Sequence, residues 1–274
     1  MNEKFDPFVT EWVSFAKNPN HNLVEKCLKL SQVLEYPDLN ISEYIQKIND
    51  IGQSLKMNIT NVDNPTYRIS ILNEYLFEQY GFKGDTEDYY NPKNNFLNEV
   101  LEKKSGIPIT LSIIYSEAAK HIGLGIRIVG FPSHVIVKYN EEIILDPFNG
   151  GRLLKIEDLK EILDRNYDGQ VEFLPEFLNE INEEKILIRL IRNLKNSYVQ
   201  SYSYEKAMRC TKMILGIDPS SPEEIRDKGI LEERFLNHDA ALQLLNQYLE
   251  MAPNAEDVDF VLDLIKSIRE KVNQ

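Results

Sequence analysis

Residues 89–151 constrain the fold of this chain more than any other stretch, because turn-forming residues and β-branched runs alternate there. The stretch holds six of the twelve glycines and four of the twelve prolines in the 274-residue sequence. Residues 126–131 and 135–145 are rich in Ile and Val and are separated by a Pro-containing break, which predicts strands. The second run can fold back on itself, so the sequence predicts a small antiparallel sheet.

Residues 139–141 form the predicted hairpin loop of the second run. With that loop, His134 faces Asp146, and directly paired residues share a sheet face with Cβ atoms about 5 Å apart. A carboxylate beside an imidazole fixes the tautomer of the ring and stabilises its charged form. The pairing depends on loop length, because a slip of one residue would place the two side chains on opposite faces.

A helix is predicted immediately before the strands, at residues 108–121. Pro108 suits its first turn, where a missing N–H costs nothing and the fixed φ is already helical. Gly123 stands where a C-terminal cap is expected. The apolar residues along this segment predict a mostly buried helix.

Helix, strand, His, strand and Asp follow one another in the chain order of the papain-like and transglutaminase-like core. Several stretches resemble a bacterial SirB-type family of transglutaminase-like proteins; they are Tyr36-Pro37-Asp38-Leu39, Leu76-Phe77-Glu78 with Gly81-Phe82, Tyr89-Tyr90-Asn91-Pro92, Gly106-Ile107-Pro108-Ile109-Thr110-Leu111-Ser112, Phe131-Pro132 and Asp146-Pro147-Phe148-Asn149-Gly150-Gly151. The resemblance spans about residues 25–260. It implies an α+β fold with a mostly helical N-terminal part, a transglutaminase-like core with a small antiparallel sheet, and C-terminal tetratricopeptide-like helical hairpins.

The sequence departs from the wider superfamily at the nucleophile. In catalytically competent transglutaminase-like domains the helix begins Gly-x-Cys, and the Cys attacks an acyl carbon. Pro108 stands at that position here. In a well-studied triad hydrolase, loss of the nucleophile lowers the rate by about 10⁶. A second departure is Ser133 and Val135 beside the His, where the SirB-type family more often has Gly and Phe.

Two function classes follow from this departure. In the first, the protein is a pseudoenzyme with a regulatory or protein-binding role, as the resemblance implies, and His134 and Asp146 are vestigial. In the second, it is a hydrolase or acyl-transferase in which His134 is the general base and Asp146 orients it. Thr110 and Ser112, in the first turns of the helix, are remote alternatives for the nucleophile, with capping and packing as their structural interpretation.

A polar stretch at residues 81–94 lacks the periodicity of a regular element, and long loops inside compact domains are usually functional. Six residues in and after this loop are candidate binding residues: Asn91, Asn94, Asn95, Asn98, Thr110 and Ser112. Asn amides both donate and accept hydrogen bonds, which suits a cleft lining. Turn formation and helix capping are the alternative roles of these amides.

Composition excludes several kinds of partner. The net charge of −13 and the pI near 4.9 argue against nucleic acid and anionic membranes, since phosphate binding needs a basic surface. The N-terminus has no signal-peptide pattern and no run approaches 18 apolar residues, so a cytoplasmic protein is expected. Cys27 and Cys210 are expected to be reduced, buried thiols. The four scattered His and two distant Cys indicate no metal site and no cofactor.

A repeat begins near Lys185. Three residues recur 34 positions later; Ala207, Leu215 and Pro219 correspond to Ala241, Leu249 and Pro253. This period is typical of tetratricopeptide helix pairs, which bind other proteins. We therefore expect two domains, a helical cover with the transglutaminase-like core at residues 1–166 and a helical tail at residues 167–274. A protein or peptide partner is expected at the tail and the cleft.

Overall fold

The N-terminal part is helical, as the sequence predicts. The computed structural model of the chain describes residues 6–59 and 64–272. Its first four helices are α1 (Pro7–Lys17), α2 (Leu23–Leu34), α3 (Ile41–Met57) and α4 (Pro65–Asn73), the last continuing as a π-helix at Glu74–Gln79. Each begins after an acidic or amide side chain that accepts a backbone N–H bond, namely Asp6, Asn22, Asn40 and Asn64. These caps satisfy donors that the helix itself leaves unpaired.

The centre of the chain forms a small sheet covered by a buried helix. Helix α5 (Leu97–Lys103) is followed by α6 (Pro108–His121), in which 11 of 14 residues are buried. Four antiparallel strands pair in chain order: β3 (Arg127–Val129), β4 (Ile136–Lys138), β5 (Ile144–Asp146) and β6 (Arg152–Leu154). Helix α6 packs against β3 and β4. The sequence analysis missed β6 and a two-residue parallel pair, β1 (Lys83–Gly84) with β2 (Ser105–Gly106).

The hairpin between β4 and β5 has a different loop from the predicted one. Lys138 pairs with Ile144, and the backbone N–H of Tyr139 donates to the carbonyl of Ile143, so the loop is 140–142. The Asn140 side chain stabilises this loop. Its Oδ1 accepts hydrogen bonds from the backbone N–H groups of residues 142 and 143, at 3.0 and 2.8 Å. The predicted loop at 139–141 was therefore wrong, and the register shifts by two residues.

The C-terminal half is built from helices. The elements after the sheet are α7 (Ile156–Tyr167), a 3-10 helix at Pro175–Leu178, α8 (Glu183–Gln200), α9 (Tyr204–Ile217), α10 (Pro222–Arg234), α11 (His238–Met251) and α12 (Val258–Val272). A Cβ on Gly229 would lie 2.9 Å from the Leu245 side chain, so this glycine lets α10 and α11 approach closely. The predicted helical hairpins are present. No helix in the described ranges is both long and apolar enough to cross a membrane.

The chain divides inside α8 into two compact units. One is Pro19–Leu190; in the other, described residues before position 19 pack with those from Ile191 onward. Helix α1 is held in the second unit by an ion pair of 3.1 Å between Asp6 and Arg209. This division differs from the predicted boundary between residues 166 and 167. The predicted boundary falls within α7, which packs on the sheet through Leu159 and Leu163.

Candidate functional site

The structure brings His134 and Asp146 together in the unit that contains the sheet. Nε2 of His134 lies 3.0 Å from Oδ1 of Asp146, and the side chains are 16% and 2% exposed. This distance is that of a charge-assisted pair, but the Nε2–H direction is not aligned for a hydrogen bond. We therefore describe the contact as an ion pair that forms when His134 is protonated. Continuing the observed register places Asp146 opposite Ile136, and His134 lies in a bend before β4.

Asp146 also caps the turn that follows it. Its Oδ1 accepts from the backbone N–H groups of Phe148 and Asn149 at 3.0 and 3.3 Å, and its Oδ2 accepts from Nδ2 of Asn149 at 2.7 Å. Burial pushes the pKa of Asp146 upward, but His134 and the Asn149 donors outweigh it and hold the pKa below its ordinary value. The carboxylate therefore stays ionised although it is almost fully buried.

The segment before His134 is strained, and an aromatic ring packs against the imidazole. Ser133 has φ of +60°, a left-handed conformation that costs a residue with a Cβ roughly 1–2 kcal/mol. The imidazole meets the ring of Phe148 edge-on with centroids 5.9 Å apart, and Phe148 meets Tyr89 in the same way at 5.9 Å. Gly84 allows this packing, because a Cβ there would lie 2.6 Å from the carbonyl oxygen of Phe148. One face of the His134 ring is thus fixed by packing.

The first turn of α6 offers no obvious nucleophile. Pro108 is buried at the first helical position. The Thr110 hydroxyl donates to the carbonyl of Asn94 at 3.0 Å and accepts from the backbone N–H of Ile107 at 3.1 Å, the bonds of a capping residue. Oγ of Ser112 is buried, with no hydrogen-bond partner among the residues that the structure describes. Helix α6 also packs against the 3-10 helix at Pro147–Asn149, directly after Asp146.

Two of the predicted Asn residues form hydrogen bonds within the polar loop. Asn91 accepts from the backbone N–H of Lys93 at 3.0 Å, and Nδ2 of Asn94 donates to the carbonyl of Asp88 at 2.8 Å. Asn94, Asn95 and Asn98 are buried. The side-chain oxygens of Asn95 and Asn98 lack a hydrogen-bond partner within the described part of the chain. The structure therefore connects Asn94 to Thr110 and records no hydrogen bond from these amides to His134.

Sequence reasoning missed a bridge that supports the Asp146 turn. Nδ2 of Asn73 donates to the carbonyl of Gly151 at 2.9 Å, and the Tyr115 hydroxyl donates to Oδ1 of Asn73 at 2.8 Å. The bridge connects α4, α6 and the Gly150-Gly151 turn, and Asn73 stands where the helix changes to π geometry, which often marks functional sites. Of the three residues, only Gly151 belongs to a motif that the sequence singles out. Nothing in the sequence near Asn73 or Tyr115 predicts the bridge.

The two thiols do not replace the nucleophile. Cys27 and Cys210 are both buried, and neither forms a disulfide bond in the part of the chain that the structure describes. Burial raises the pKa of Cys27 far above the ordinary thiol range, so its reactive thiolate form is disfavoured. Within residues 6–59 and 64–272, no three His, Cys, Asp or Glu side chains form a group suited to a metal ion.

Comparisons with known proteins agree with this architecture. A family model described as the transglutaminase-like superfamily matches residues 42–192, and one described as the tetratricopeptide repeat matches residues 194–266. A "UPF0162 protein" of Xylella fastidiosa (strain 9a5c) is 33% identical over 233 residues, 83% of each chain. A "UPF0162 protein" of Vibrio cholerae is 24% identical and covers 85% of this chain and 87% of its own.

"Protein SirB1" of Salmonella typhimurium is 24% identical over 242 residues, which are 87% of this chain and 88% of the relative. No solved structure gives a significant match. The order of the matched domains is the one that the fold shows, a helix-covered sheet followed by helical hairpins. The chain therefore belongs to the transglutaminase-like superfamily, in the family of the proteins named UPF0162 and SirB1, and its transglutaminase-like domain is followed by tetratricopeptide repeats.

Proposed function

We propose that this protein is a non-catalytic transglutaminase-like protein with a regulatory role, which binds a protein or peptide partner through the His134–Asp146 cleft and its helical repeats. One observation carries the proposal. An imidazole and an ionised carboxylate are held 3.0 Å apart, while the helix that supplies the nucleophile in competent relatives begins with Pro108. An imidazole and a carboxylate held together without a nucleophile are suited to binding.

The remaining groups of the unit support binding rather than covalent chemistry. The Thr110 hydroxyl is occupied by capping bonds, and burial keeps Cys27 a thiol. Tetratricopeptide helix pairs stack into concave surfaces that typically bind other proteins. Cysteines outside disulfides are typical of the cytoplasm, where we place the protein, and the net charge of −13 disfavours a nucleic-acid partner.

Affinity capture from lysate tests the proposal. The full-length chain and the His134→Ala/Asp146→Ala variant are used as baits, and captured proteins are quantified by mass spectrometry. The variant should lose a specific partner by about ten-fold or more, the scale of a binding hot spot. Lys160→Ala/Glu161→Ala, an exposed pair on α7, is the matched control and should capture as the wild type does. Equal capture by wild type and the folded cleft variant would contradict the proposal.

A hydrolase or acyl-transferase is the second candidate, favoured by the lowered pKa of Asp146. A carboxylate that stays ionised beside His134 would stabilise the imidazolium formed when the imidazole acts as a general base. A panel of esters, amides and thioesters separates the candidates. Turnover that His134→Ala removes would support the second candidate, and turnover equal to the buffer background would support the first.

A further inference from the structure

Arg189 is a cation with no paired carboxylate among the described residues, and it lies one residue before the end of the sheet-containing unit. It lies on α8, and its side chain is half-buried. No carboxylate among the described residues pairs with it, although the sequence has 44 acidic and 31 basic residues. Burial lowers the pKa of Arg189, as expected for a guanidinium that has lost water without gaining a counter-charge. An unpaired, partly desolvated charge is costly and typical of a ligand site.

The guanidinium lies beside the loop that carries His134. A Cβ on Gly130, directly after β3, would lie 3.5 Å from Nη1 of Arg189 and 3.0 Å from the Ile181 side chain. Ile181 is itself attached to β3, since its backbone N–H donates to the carbonyl of Ile128 at 3.1 Å. Arg189 and Ile181 therefore both lie next to Gly130, four residues before His134.

Two phenols accompany the guanidinium. Tyr89 and Tyr167 lie close enough to Arg189 to act on it electrostatically, and they oppose the lowering of the Arg189 pKa by burial. Burial raises the pKa of Tyr89, and Arg189 opposes this, so the phenol stays a donor at neutral pH. The ring of Tyr89 contacts Phe148, which contacts His134. Arg189, Tyr89 and Tyr167 thus supply hydrogen-bond donors near the ring contacts that lead to His134.

We propose that Arg189, with the hydroxyls of Tyr89 and Tyr167, binds a carboxylate group of the ligand that occupies the His134 cleft. The single positive charge of a guanidinium neutralises the single negative charge of a carboxylate. The two groups can also form two parallel hydrogen bonds. A phosphate would bring more negative charge than a single cation neutralises, in a protein whose net charge is already −13. The carboxylate comes from the C-terminus of a peptide or from an acidic side chain. This inference rests on the proposed binding function and names the chemistry that the cleft selects.

Three probes separate the sources of the carboxylate. They are acetyl-trialanine with a free C-terminal carboxylate, the same peptide as its amide, and an amide-capped peptide with one internal Glu. Binding to the full-length protein is followed by NMR through the Arg189 Nε–Hε and His134 ring signals. A carboxylate-bearing probe should shift both signals, and the uncharged amide should bind about ten-fold more weakly or worse. The better of the two acidic probes identifies the source.

Two variants test the residue itself. Arg189→Gln should weaken the preferred acidic probe by about ten-fold or more, the effect of losing a hydrogen bond to a charged group. Arg165→Gln, which removes an equal charge from an exposed position on α7, should leave the affinity unchanged. Because Arg189 has no internal counter-ion, Arg189→Gln should also keep the thermal midpoint of the wild type.

The inference is overturned if acid and amide probes bind equally, if none binds at millimolar concentration, or if Arg189→Gln binds as the wild type does. A fall in the thermal midpoint of Arg189→Gln would show a structural role and would also overturn it. The outcome is separable from that of the proposed function. Loss of partner capture in the His134→Ala/Asp146→Ala bait with no effect of Arg189→Gln would reject only the carboxylate site, and carboxylate binding without any captured partner would reject only the proposed function.

Discussion

At the residue scale, the carboxylate of Asp146 has two structural tasks. It caps the turn at Pro147–Asn149 and it faces His134. Both tasks are strengthened by the ionised form, because hydrogen bonds to a carboxylate are stronger than those to a neutral carboxyl group and a carboxylate attracts a protonated imidazole. This residue therefore connects the stability of the fold with the electrostatics of the site.

We expect the stability contributed by Asp146 to depend on pH. Its pKa is lowered in the folded protein, so the unfolded state, with a pKa of about 3.9, binds more protons in the acid range. The contribution is therefore complete above the unfolded value and is lost as the pH falls through the lowered folded value. Urea unfolding of wild type and Asp146→Asn between pH 3 and pH 7 measures it. The difference in unfolding free energy should shrink below about pH 4; a difference that grows as the pH falls from about 4 to about 3 would contradict the assignment.

The sequence predicted the His134–Asp146 proximity through a register that the structure corrects. The shift is two residues, and a shift of two keeps the side chains of a strand on the same face. The pairing was therefore insensitive to the error in the loop. The Asn140 cap that selects the loop, and the bend that carries His134, depend on local bonds which the β-branched pattern does not reveal.

At the element scale, α4, α6 and the Gly150-Gly151 turn are joined by the Asn73 bridge. Both glycines have φ near +70°, but only Gly151 is crowded. A Cβ on Gly151 would lie 2.2 Å from Oδ1 of Asn73, whereas a Cβ on Gly150 would meet nothing within 4 Å. An alanine at Gly150 would therefore cause only backbone strain, whereas an alanine at Gly151 would cause backbone strain and a steric conflict.

Gly151→Ala should destabilise the protein by roughly 1–3 kcal/mol more than Gly150→Ala. The Gly150 change adds only the strain of a left-handed alanine, about 1–2 kcal/mol. The Gly151 change adds the displacement of Asn73 from the Tyr115 hydroxyl. Thermal and urea unfolding of the two variants measure the difference. In an Asn73→Ala background the two glycine changes should have equal effects, and a persistent difference there would reject the bridge as its cause.

Elements with strong periodicity were predictable, and elements defined by long-range pairing were not. Helix α6 begins and ends where Pro108 and the residues before Gly123 predict. Strand β6 and the pair β1–β2 were missed because two or three residues provide too short a pattern. The burial of the side-chain oxygens of Asn95 and Asn98 could not be predicted either, since it follows from packing between distant segments.

At the scale of the whole molecule, one compact unit is discontinuous in sequence. Helix α1 packs against α9, where a Cβ on Gly216 would lie 2.4 Å from a methyl carbon of Val13. Local periodicity identified α1 as a helix but gave no information on its partner. The predicted first domain, residues 1–166, includes α1, whereas the division by contacts groups α1 with residues from Ile191 onward.

Gly216→Ala should destabilise this unit by roughly 1–3 kcal/mol, although Ala is the better helix former. The new methyl group meets Val13, and the steric conflict outweighs the gain in helix propensity. Hydrogen exchange should increase in α1 and α9. Val13→Ala/Gly216→Ala removes the conflict and should be more stable than Gly216→Ala alone. A Gly216→Ala variant more stable than wild type would contradict the packing.

The same unit contains a buried ion network centred on Glu224. This carboxylate is fully buried and pairs with Nζ of Lys195 and Nε of Arg192, each at 2.7 Å. Lys195→Met should destabilise the protein by roughly 2 kcal/mol or more, because it leaves Glu224 under-compensated. Lys195→Met/Glu224→Leu should regain most of that loss, and Lys266→Met, at an exposed position, should have little effect. Chemical unfolding measures all three; a double variant no better than Lys195→Met would contradict the network.

The central claim is that the His134–Asp146 cleft binds its partner without transforming it. The most direct test is the intact mass of the captured partner, measured before and after prolonged incubation with the wild type or with His134→Ala. Binding that requires His134 and leaves the mass of the partner unchanged is the predicted result. A mass change consistent with hydrolysis or acyl transfer, present with the wild type and absent with His134→Ala, would contradict the claim.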